Sequence, residues 1–409
     1  METTRRKFLA SAAFFPAARF GTSPFSAAWS GAHKLRACII GATGQGDYGH
    51  NLHMVLGLRP DVEVVGLADP NETGRRSHAV EARAARTYAD YREMLAREKP
   101  DLVVIAPRHT THHREYLLAA AEVGAHGLIE KPIAHTLSDA DEMLKATTAK
   151  KLKWAIAYNF RAMPVVQHTR GLIVKEGLIG QILEVRGRGK EDRRAGGEDM
   201  LVLGCHVVDL MRFFVGDPAW CEADITVGGR PAGQADIHEA TESLGPVVGD
   251  RIQATYAFKD GIKGYFASTA SADGNGGRWG LDIFGSRGMV TIRPDARPMI
   301  GLLRDPSWAP FARNQKWEAV PGAPAETESS NPRAARYAPV VDDLVLAIQE
   351  DREPQVSLRD GLVSLEMLQA VYESHVRQAR VPFPLENRAH PLDRSPAVGD
   401  YLQRHAARR

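Results

Sequence analysis

Two basic side chains stand at places where they could act on a hydroxyl group. Lys131 follows the short apolar segment 126–129 and precedes Pro132, so it is predicted at the carboxyl end of a parallel strand, where an ammonium group can hydrogen-bond a reacting oxygen. His206 lies on a predicted helix, and its imidazole has an ordinary pKa of about 6.5, suited to accepting a proton near neutral pH. The pair predicts a general base and a group that polarises oxygen.

The helix around His206 is predicted from its apolar spacing. The residues that recur at helical intervals and would form a buried stripe are Val207, Leu210, Met211 and Phe214. Asp209 follows His206 by three residues, so its carboxylate can reach the imidazole and orient it. A core histidine hydrogen-bonded to Asp209 would show the same pattern.

A glycine-rich turn follows the apolar, β-prone segment 35–40. It comprises Gly41, Ala42, Thr43, Gly44, Gln45 and Gly46, and a helix-like segment at 50–58 follows. Glycines permit the tight turn and let backbone N–H groups approach a pyrophosphate. The G-x-G-x-x-G pattern fails at Thr43 when read from the strand end, and the matching frame, 44–49, begins three residues beyond the strand.

Asp69 ends the second apolar segment, 62–68. An acid at this point of a dinucleotide fold binds the ribose diol, and its charge repels a 2′-phosphate. Asp69 therefore favours NAD over NADP, although Arg75 and Arg76 are near enough in sequence to weaken that preference. We expect these two arginines on the solvated face of the next helix.

The order of the predicted elements indicates two architectures. Strands alternate with helices up to about residue 155, which predicts an α/β domain with a doubly wound parallel (Rossmann) sheet. Short strands dominate afterwards, which predicts an α+β domain with a large, mainly antiparallel open sheet. The predicted units are an export signal at 1–30, a dinucleotide-binding domain at 34–155, a substrate and oligomerisation domain at 156–335, and C-terminal helices with a tail at 336–409.

The motifs together resemble those of the Gfo/Idh/MocA family, the group of glucose-fructose oxidoreductase and inositol dehydrogenase. Those that agree in order are the glycine turn, Asp69, Ala106-Pro107-Arg108 with His113, Glu130-Lys131-Pro132, Tyr158-Asn159-Phe160-Arg161, and the segment 204–210. The resemblance implies that Lys131 lies beside the nicotinamide and the substrate hydroxyl. It also implies cofactor contacts from the glycine turn, Asp69, Pro107, Arg108, His113 and Glu130, substrate contacts from Asn159 and Arg161, and a dimer or tetramer formed through the open sheet.

One position departs from that family pattern. Its sugar dehydrogenases commonly carry an aspartate four residues before the histidine, whereas this chain has Val202. The nearest acids are Glu198 and Asp199. Either one of them has taken over the acid role, or the site depends on Lys131 and His206 alone.

A row of charged residues follows the predicted strand at 182–190. Glu184, Arg186, Arg188 and Lys190 occupy alternate positions and therefore share one face of the pleat. The three bases could bind a carboxylate, a sulfate or a polyhydroxylated ring of the substrate. A solvated face of the sheet would carry the same pattern.

Composition excludes several classes of protein. The chain has 409 residues, 44% hydrophobic and 25% charged, with a net charge of +2, which argues against disorder and against nucleic acid as the main partner. Its three cysteines match neither a zinc site nor a disulfide framework, and no apolar run is long enough to span a membrane. The paired Arg5 and Arg6 before an apolar stretch predict a signal of the twin-arginine type, hence the export machinery as a partner and a periplasmic location.

Three functions are consistent with these patterns. The first is an exported NAD-dependent oxidoreductase that acts on a hydroxyl of a sugar, sugar acid or glycoside. Its NAD need not dissociate between turnovers. The second is an NAD-dependent glycosidase, as some relatives are. Such an enzyme oxidises a ring hydroxyl, eliminates the glycosidic substituent, adds water and re-reduces the ring, with no net redox change. The third is a sugar-binding protein that has kept the fold without catalysis.

Overall fold

The computed structural model describes residues 34–270, 274, 276–311, 315–324 and 332–393. The predicted export signal at 1–30 lies outside these residues. Within the described ranges no helix combines the length and the apolar character that crossing a membrane requires.

The first domain is built on a six-stranded parallel sheet with the order β3-β2-β1-β4-β5-β6. Its strands are β1 (Leu35–Ile40), β2 (Val62–Ala68), β3 (Arg86–Tyr88), β4 (Leu102–Ile105), β5 (His126–Ile129) and β6 (Trp154–Ile156). The central strand β4 is buried at every residue, as expected for a parallel sheet covered on both faces. This confirms the predicted doubly wound sheet.

Four α-helices connect these strands: α1 (Glu72–Ala82), α2 (Tyr91–Glu98), α3 (His113–Glu122) and α4 (Leu137–Ala149). Helix α4 begins at Leu137, and the Thr136 side chain caps it by accepting the hydrogen bond from the Asp139 N–H. The predicted helix at 50–58 is wrong. That segment holds two single 3-10 turns, Leu52–Met54 and Leu56–Leu58, after positive φ angles at Gly49 and Asn51.

The second domain is built on a ten-stranded sheet with the order β17-β16-β15-β14-β7-β13-β12-β8-β18, in which β9 also pairs with β8. Its pairs are antiparallel except for β7 with β13, which confirms the predicted mainly antiparallel sheet. The strands are β7 (Ile182–Arg188), β8 (Trp220–Val227), β9 (Arg230–Pro231), β12 (Arg251–Ala257), β13 (Lys263–Thr269), β14 (Gly280–Gly285), β15 (Gly288–Ile292), β16 (Ile300–Leu303), β17 (Glu318–Ala319) and β18 (Val381–Pro382). A separate two-stranded pair joins β10 (His238–Glu239) and β11 (Pro246–Val247).

The remaining helices cover this sheet and return to the first domain. They are α5 (Asn159–Ala162), α6 (Pro164–Glu176), α7 (Gly197–Asp199), α8 (Cys205–Val215), α9 (Pro332–Ala335), α10 (Ala338–Gln349) and α11 (Leu358–Arg377). Helix α8 lies so close to β7 that a Cβ added at Gly187 would be 2.3 Å from Val207 Cγ1. The Ile156 N–H donates to Val356 O at 3.0 Å, so the chain just before α11 continues the edge of the first sheet.

Candidate active site

Lys131 joins the two domains at the carboxyl end of β5. Its side chain is almost completely buried, with 2% of the residue exposed, and Nζ donates to the carbonyl oxygen of Val202 at 3.0 Å. Val202 lies in a π-helical turn, Met200–Gly204, that leads directly into α8. Wide turns of this kind are frequent at functional sites. The contact places the ammonium group of the first domain beside the start of the helix that carries His206.

His206 is enclosed by aromatic rings. Its ring centroid lies 5.5 Å from that of Tyr158, 5.1 Å from Phe160 and 6.2 Å from Trp279. Among the described residues, no group hydrogen-bonds its Nδ1. Burial, and secondly the positive charge of Lys131, hold the pKa of His206 well below 6.5. The imidazole is therefore neutral near pH 7 and offers a free lone pair beside an ammonium group.

Asp209 does not orient His206, so that expectation is wrong. Both carboxylate oxygens are taken by the guanidinium of Arg161, with Nε to Oδ2 at 3.0 Å and Nη2 to Oδ1 at 2.5 Å. Burial raises the pKa of Asp209 to about 6, although the charge of Arg161 acts in the opposite direction. Since the planar fork of Arg161 matches a carboxylate in two places, it outcompetes a single imidazole N–H.

Arg161 itself has a structural role, and its predicted contact with the substrate stays a prediction. The residue is 5% exposed, and Nη1 also pairs with Asp360 at 2.8 Å. One guanidinium thereby connects α5, α8 and the first turn of α11. Asn159, two residues earlier, is the first residue of α5 and is buried. Its substrate contact remains a prediction.

Neither acid near Val202 replaces the missing aspartate. The carboxylate of Asp199 accepts hydrogen bonds from the backbone N–H groups of Lys190 and Glu191, at 3.1 and 3.0 Å, and from Ser268 Oγ at 2.6 Å. Glu198 accepts from the hydroxyl of Thr241. Both acids hold loops of the second domain together. Of the two alternatives, the geometry favours a site that depends on Lys131 and His206.

The glycine turn folds against the loop after β4. Gly44 and Gly46 have φ angles of 81° and 90°, which favour glycine, and the Asp47 N–H closes the turn on Ala42 O at 2.9 Å. A Cβ at Gly46 would lie 2.7 Å from the Arg108 nitrogen, and Gly46 O accepts the Arg108 N–H at 3.0 Å. The structure thus brings the predicted glycine turn and the Pro107–Arg108 loop together.

Asp69 closes that turn instead of facing a ligand. Its Oδ2 accepts from Thr43 N at 3.0 Å, Thr43 Oγ1 at 2.6 Å and the hydroxyl of Tyr48 at 2.9 Å, while Oδ1 accepts from Asn71 N at 2.9 Å. Asp69 is 0% exposed, so this geometry does not provide the predicted contact with a ribose diol. Arg75 donates to the carbonyl of Asp69 at 2.6 Å, so it does not lie simply on a solvated face.

Two further predicted cofactor residues brace the surrounding loops. The imidazole of His113 is buried between the carbonyls of Pro107, at 2.7 Å, and Ile133, at 3.0 Å. Glu130 is buried as well, with Oε1 2.5 Å from His50 Nδ1. Burial raises the pKa of Glu130, but the charges of His50 and Lys131 outweigh that effect and lower it. These contacts fix the peptide on either side of Lys131.

The basic row on β7 points away from His206. Since Gly187 faces α8, its neighbours Arg186 and Arg188 project from the opposite face of the sheet. Arg186 stacks on the ring of Phe284 at 4.5 Å, and Arg188 pairs with Glu191 at 2.5 Å. The expectation that the row binds the substrate therefore finds no support for these two arginines, which lie on the face of the sheet away from His206.

Lys190, just beyond β7, is the member of the row that approaches the site. Its Nζ lies 6.0 Å from the ring centroid of Trp279, which in turn contacts His206. Trp279 was missed by the sequence reasoning, because it is far from His206 along the chain and carries no motif. Only the pairing of β14 with β7 brings it there.

The two groups of predicted cofactor residues differ in how they suit a nicotinamide dinucleotide. At one end, Lys131 and the unpartnered nitrogen of His206 offer a donor and an acceptor to a reacting hydroxyl. At the other end, the glycine turn is present, but Asp69 is completely buried and its Oδ2 already accepts three hydrogen bonds from Thr43 and Tyr48. The residues therefore fit the reacting end of the cofactor.

Comparison with protein families agrees with this architecture. The oxidoreductase family with an NAD-binding Rossmann fold matches residues 35–158, and the C-terminal alpha/beta domain of the same oxidoreductase family matches residues 174–383. The chain belongs to the Gfo/Idh/MocA family. As a member it is an NAD(P)-dependent oxidoreductase, and the named relatives include several sugar dehydrogenases.

Three curated Gfo/Idh/MocA relatives show the range of similarity. The D-apiose dehydrogenase of Paraburkholderia graminis is 27% identical over 76% of this chain and 80% of its own length. The levoglucosan dehydrogenase of Pseudarthrobacter phenanthrenivorans is 28% identical over 51% of this chain, and the D-glucoside 3-dehydrogenase of Escherichia coli is 30% identical over 45%. These two matches span 59% and 55% of those relatives.

Solved structures of the Gfo/Idh/MocA fold superpose over most of the chain. A levoglucosan dehydrogenase in complex with NADH and levoglucosan has a TM-score of 0.69 at 22% identity, covering 86% of this chain and all of that one. The WlbA dehydrogenase of Bordetella pertussis, in complex with NADH and UDP-GlcNAcA, has a TM-score of 0.64 at 21% identity and covers 87% of this chain. At such identities the likeness shows the fold alone.

The Arg161 assignment predicts a large effect on stability. Replacing Arg161→Met leaves the buried Asp209 without its paired cation and leaves Asp360 with Arg212 alone, which is expected to cost about 3–5 kcal/mol of unfolding free energy. Arg186→Met is the matched control, since Arg186 is half exposed on the other face of the sheet and should change stability by less than about 0.5 kcal/mol. Urea unfolding of both variants measures the difference, and equal stabilities would contradict the structural role of Arg161.

Proposed function

We propose that the protein is an exported NAD-dependent dehydrogenase that oxidises a hydroxyl of a sugar, sugar acid or glycoside, with Lys131 and His206 at the reacting carbon. The observation that carries this proposal is a neutral imidazole with an unpartnered buried nitrogen beside a buried ammonium group. The sugar dehydrogenases among the relatives support the substrate class.

The two side chains have complementary tasks in this proposal. Bound NAD supplies a hydride acceptor at C4 of its nicotinamide ring. His206 accepts the proton of the substrate hydroxyl on its unprotonated ring nitrogen, and the depressed pKa of His206 keeps the ring in its basic form near pH 7. Lys131 donates from Nζ to the same oxygen and stabilises the negative charge that develops on it.

The surroundings of His206 keep water from the reacting atoms. Tyr158, Phe160 and Trp279 present ring edges around the imidazole, and each of these residues is less than 9% exposed. A low local dielectric strengthens the interaction of the Lys131 charge with an alkoxide. Lys190, at the rim beside Trp279, is positioned to contact a hydroxyl or an acidic substituent of the substrate.

A panel of sugars, sugar acids and aryl glycosides tests the proposal directly. With added NAD the purified protein is expected to form NADH from at least one of these compounds. His206→Asn and Lys131→Met should each lower kcat/KM by roughly 10²–10⁴-fold, because each removes a group that acts on the reacting oxygen. Lys145→Met, on the exposed face of α4, is the matched control and should leave kcat/KM unchanged.

The contrary outcomes of the panel are distinct. Cleavage of a glycoside with nucleotide retained and no NADH formed would identify the glycosidase with transient oxidation instead. Binding of sugars without either reaction would identify a non-catalytic protein. Full activity of both His206→Asn and Lys131→Met would overturn the assignment of these residues.

Export is the second part of the proposal, and it rests on residues 1–30. We propose that Arg5 and Arg6 direct the folded chain through the twin-arginine route, so that tightly held NAD travels with it to the periplasm. In a bacterium that has this route, the chain is expected in the periplasmic fraction, and the double change Arg5→Lys with Arg6→Lys should retain it in the cytoplasm. Arg19→Lys is the control in the same segment and should still be exported. Export of the Arg5→Lys, Arg6→Lys variant to the periplasm as well would contradict the route.

A further inference from the structure

Three side chains of the kinds that bind metal ions meet outside the candidate active site. His53 belongs to the 3-10 turn Leu52–Met54, whereas His78 and Glu81 lie one helical turn apart on α1. Their ligand atoms all lie within 4.8 Å of one another. This group, the His53 cluster, has no part in the proposed dehydrogenase reaction.

Two of the three distances between the donor atoms are close to those of a tetrahedral site. Glu81 Oε2 lies 2.7 Å from His53 Nε2 and 3.0 Å from His78 Nδ1. Ligands bonded to zinc at about 2.0–2.1 Å in a tetrahedron lie about 3.3 Å from one another. One ion shared by all three donors requires a lengthening of these two distances by a few tenths of an ångström and an approach of the two imidazole nitrogens, which lie within 4.8 Å of each other.

The chemistry of the donors selects the class of metal. Two imidazoles and one carboxylate are ligands typical of Zn²⁺ and its neighbours among the divalent transition metals, with one position left for water. Mg²⁺ and Ca²⁺ prefer sites made of oxygen atoms alone. The cluster thus differs from an acidic surface patch, in which no nitrogen ligands converge.

Burial gives the cluster both a fixed ligand and an entry path. The side chain of His53 is 2% exposed, so its ring is held by the surrounding protein. The side chains of His78 and Glu81 are 25% and 43% exposed, so an ion can reach them from solvent. Packing of α1 against the 3-10 turn thus supplies a preformed site, open on one side.

We propose that His53, His78 and Glu81 bind one divalent transition-metal ion of the Zn²⁺ class. The ring of Tyr48 packs on both imidazoles, with centroid distances of 4.8 Å to His53 and 4.0 Å to His78. The hydroxyl of Tyr48 donates to Asp69. The ion would therefore lie behind the glycine turn, on the far side of Tyr48 from Asp69, and its binding is independent of the proposed sugar oxidation.

Zinc titration of the untagged, chelator-treated protein tests this site. Calorimetry is expected to show one Zn²⁺ bound per chain, and Zn²⁺ should raise the melting temperature of the wild type. His78→Gln and Glu81→Gln should each weaken binding at least about tenfold and lose the thermal shift, because an amide is a poor ligand for zinc. His112→Gln is the matched control, since His112 faces Glu115 on the surface at 3.8 Å in a pair that is not part of this cluster.

The variants also separate ligation from simple packing. In His78→Gln the amide can still donate a hydrogen bond to Glu81, so the metal-free variant should melt close to the metal-free wild type. Absence of Zn²⁺ binding by the wild type would overturn the site. Wild-type affinity in both His78→Gln and Glu81→Gln would do the same, because the ion would then be bound elsewhere.

Discussion

The buried ammonium group of Lys131 is the constraint on which the candidate active site depends. A charge with so little exposure is costly unless polar groups face it, and here the carbonyl of Val202 accepts its hydrogen bond while Glu130 lies next to it in the chain. That contact ties the end of β5 in the first domain to the turn that starts α8 in the second. The same charge adds to burial in keeping the imidazole of His206 neutral. Lys131 thus both joins the two domains at the site and contributes to the low pKa of His206.

A second buried charge organises the helices behind that pair. Arg161 binds Asp209 on α8 and Asp360 at the start of α11, and Arg212 also pairs with Asp360. These residues stand in motifs that invite a catalytic interpretation, yet their partners are one another. Their contribution to function is indirect, because they set the direction in which α8 presents His206.

The fold was predictable because it depends on patterns that are local in the chain. Alternating apolar segments and helices predicted the parallel sheet, and several bounds, such as those of β1, β2 and β5, coincide with the structure. Lys131 at a strand end and His206 on a helix followed from the same patterns. Their placement near one another required the family resemblance, since no local pattern relates residues of different domains.

The choice of hydrogen-bond partners could not be predicted. Asp69 ends its strand where the sequence places it, but the hydroxyls of Thr43 and Tyr48 reach its carboxylate only because the glycine turn folds back over it. Asp209 lies one helical turn from His206, yet a guanidinium from α5 takes both of its oxygens. Trp279 reaches His206 through the pairing of strands distant in sequence. Each outcome depends on how loops and sheets meet in three dimensions.

Titration of the His206 imidazole by NMR, with its signals assigned through a His206→Asn variant, tests the central claim most directly. The account predicts that the ring remains neutral on acidification to well below pH 6.5 and that Lys131→Met raises its pKa, because a neighbouring positive charge has been removed. A pKa of 6.5 or above in the wild type, unchanged in Lys131→Met, would contradict it.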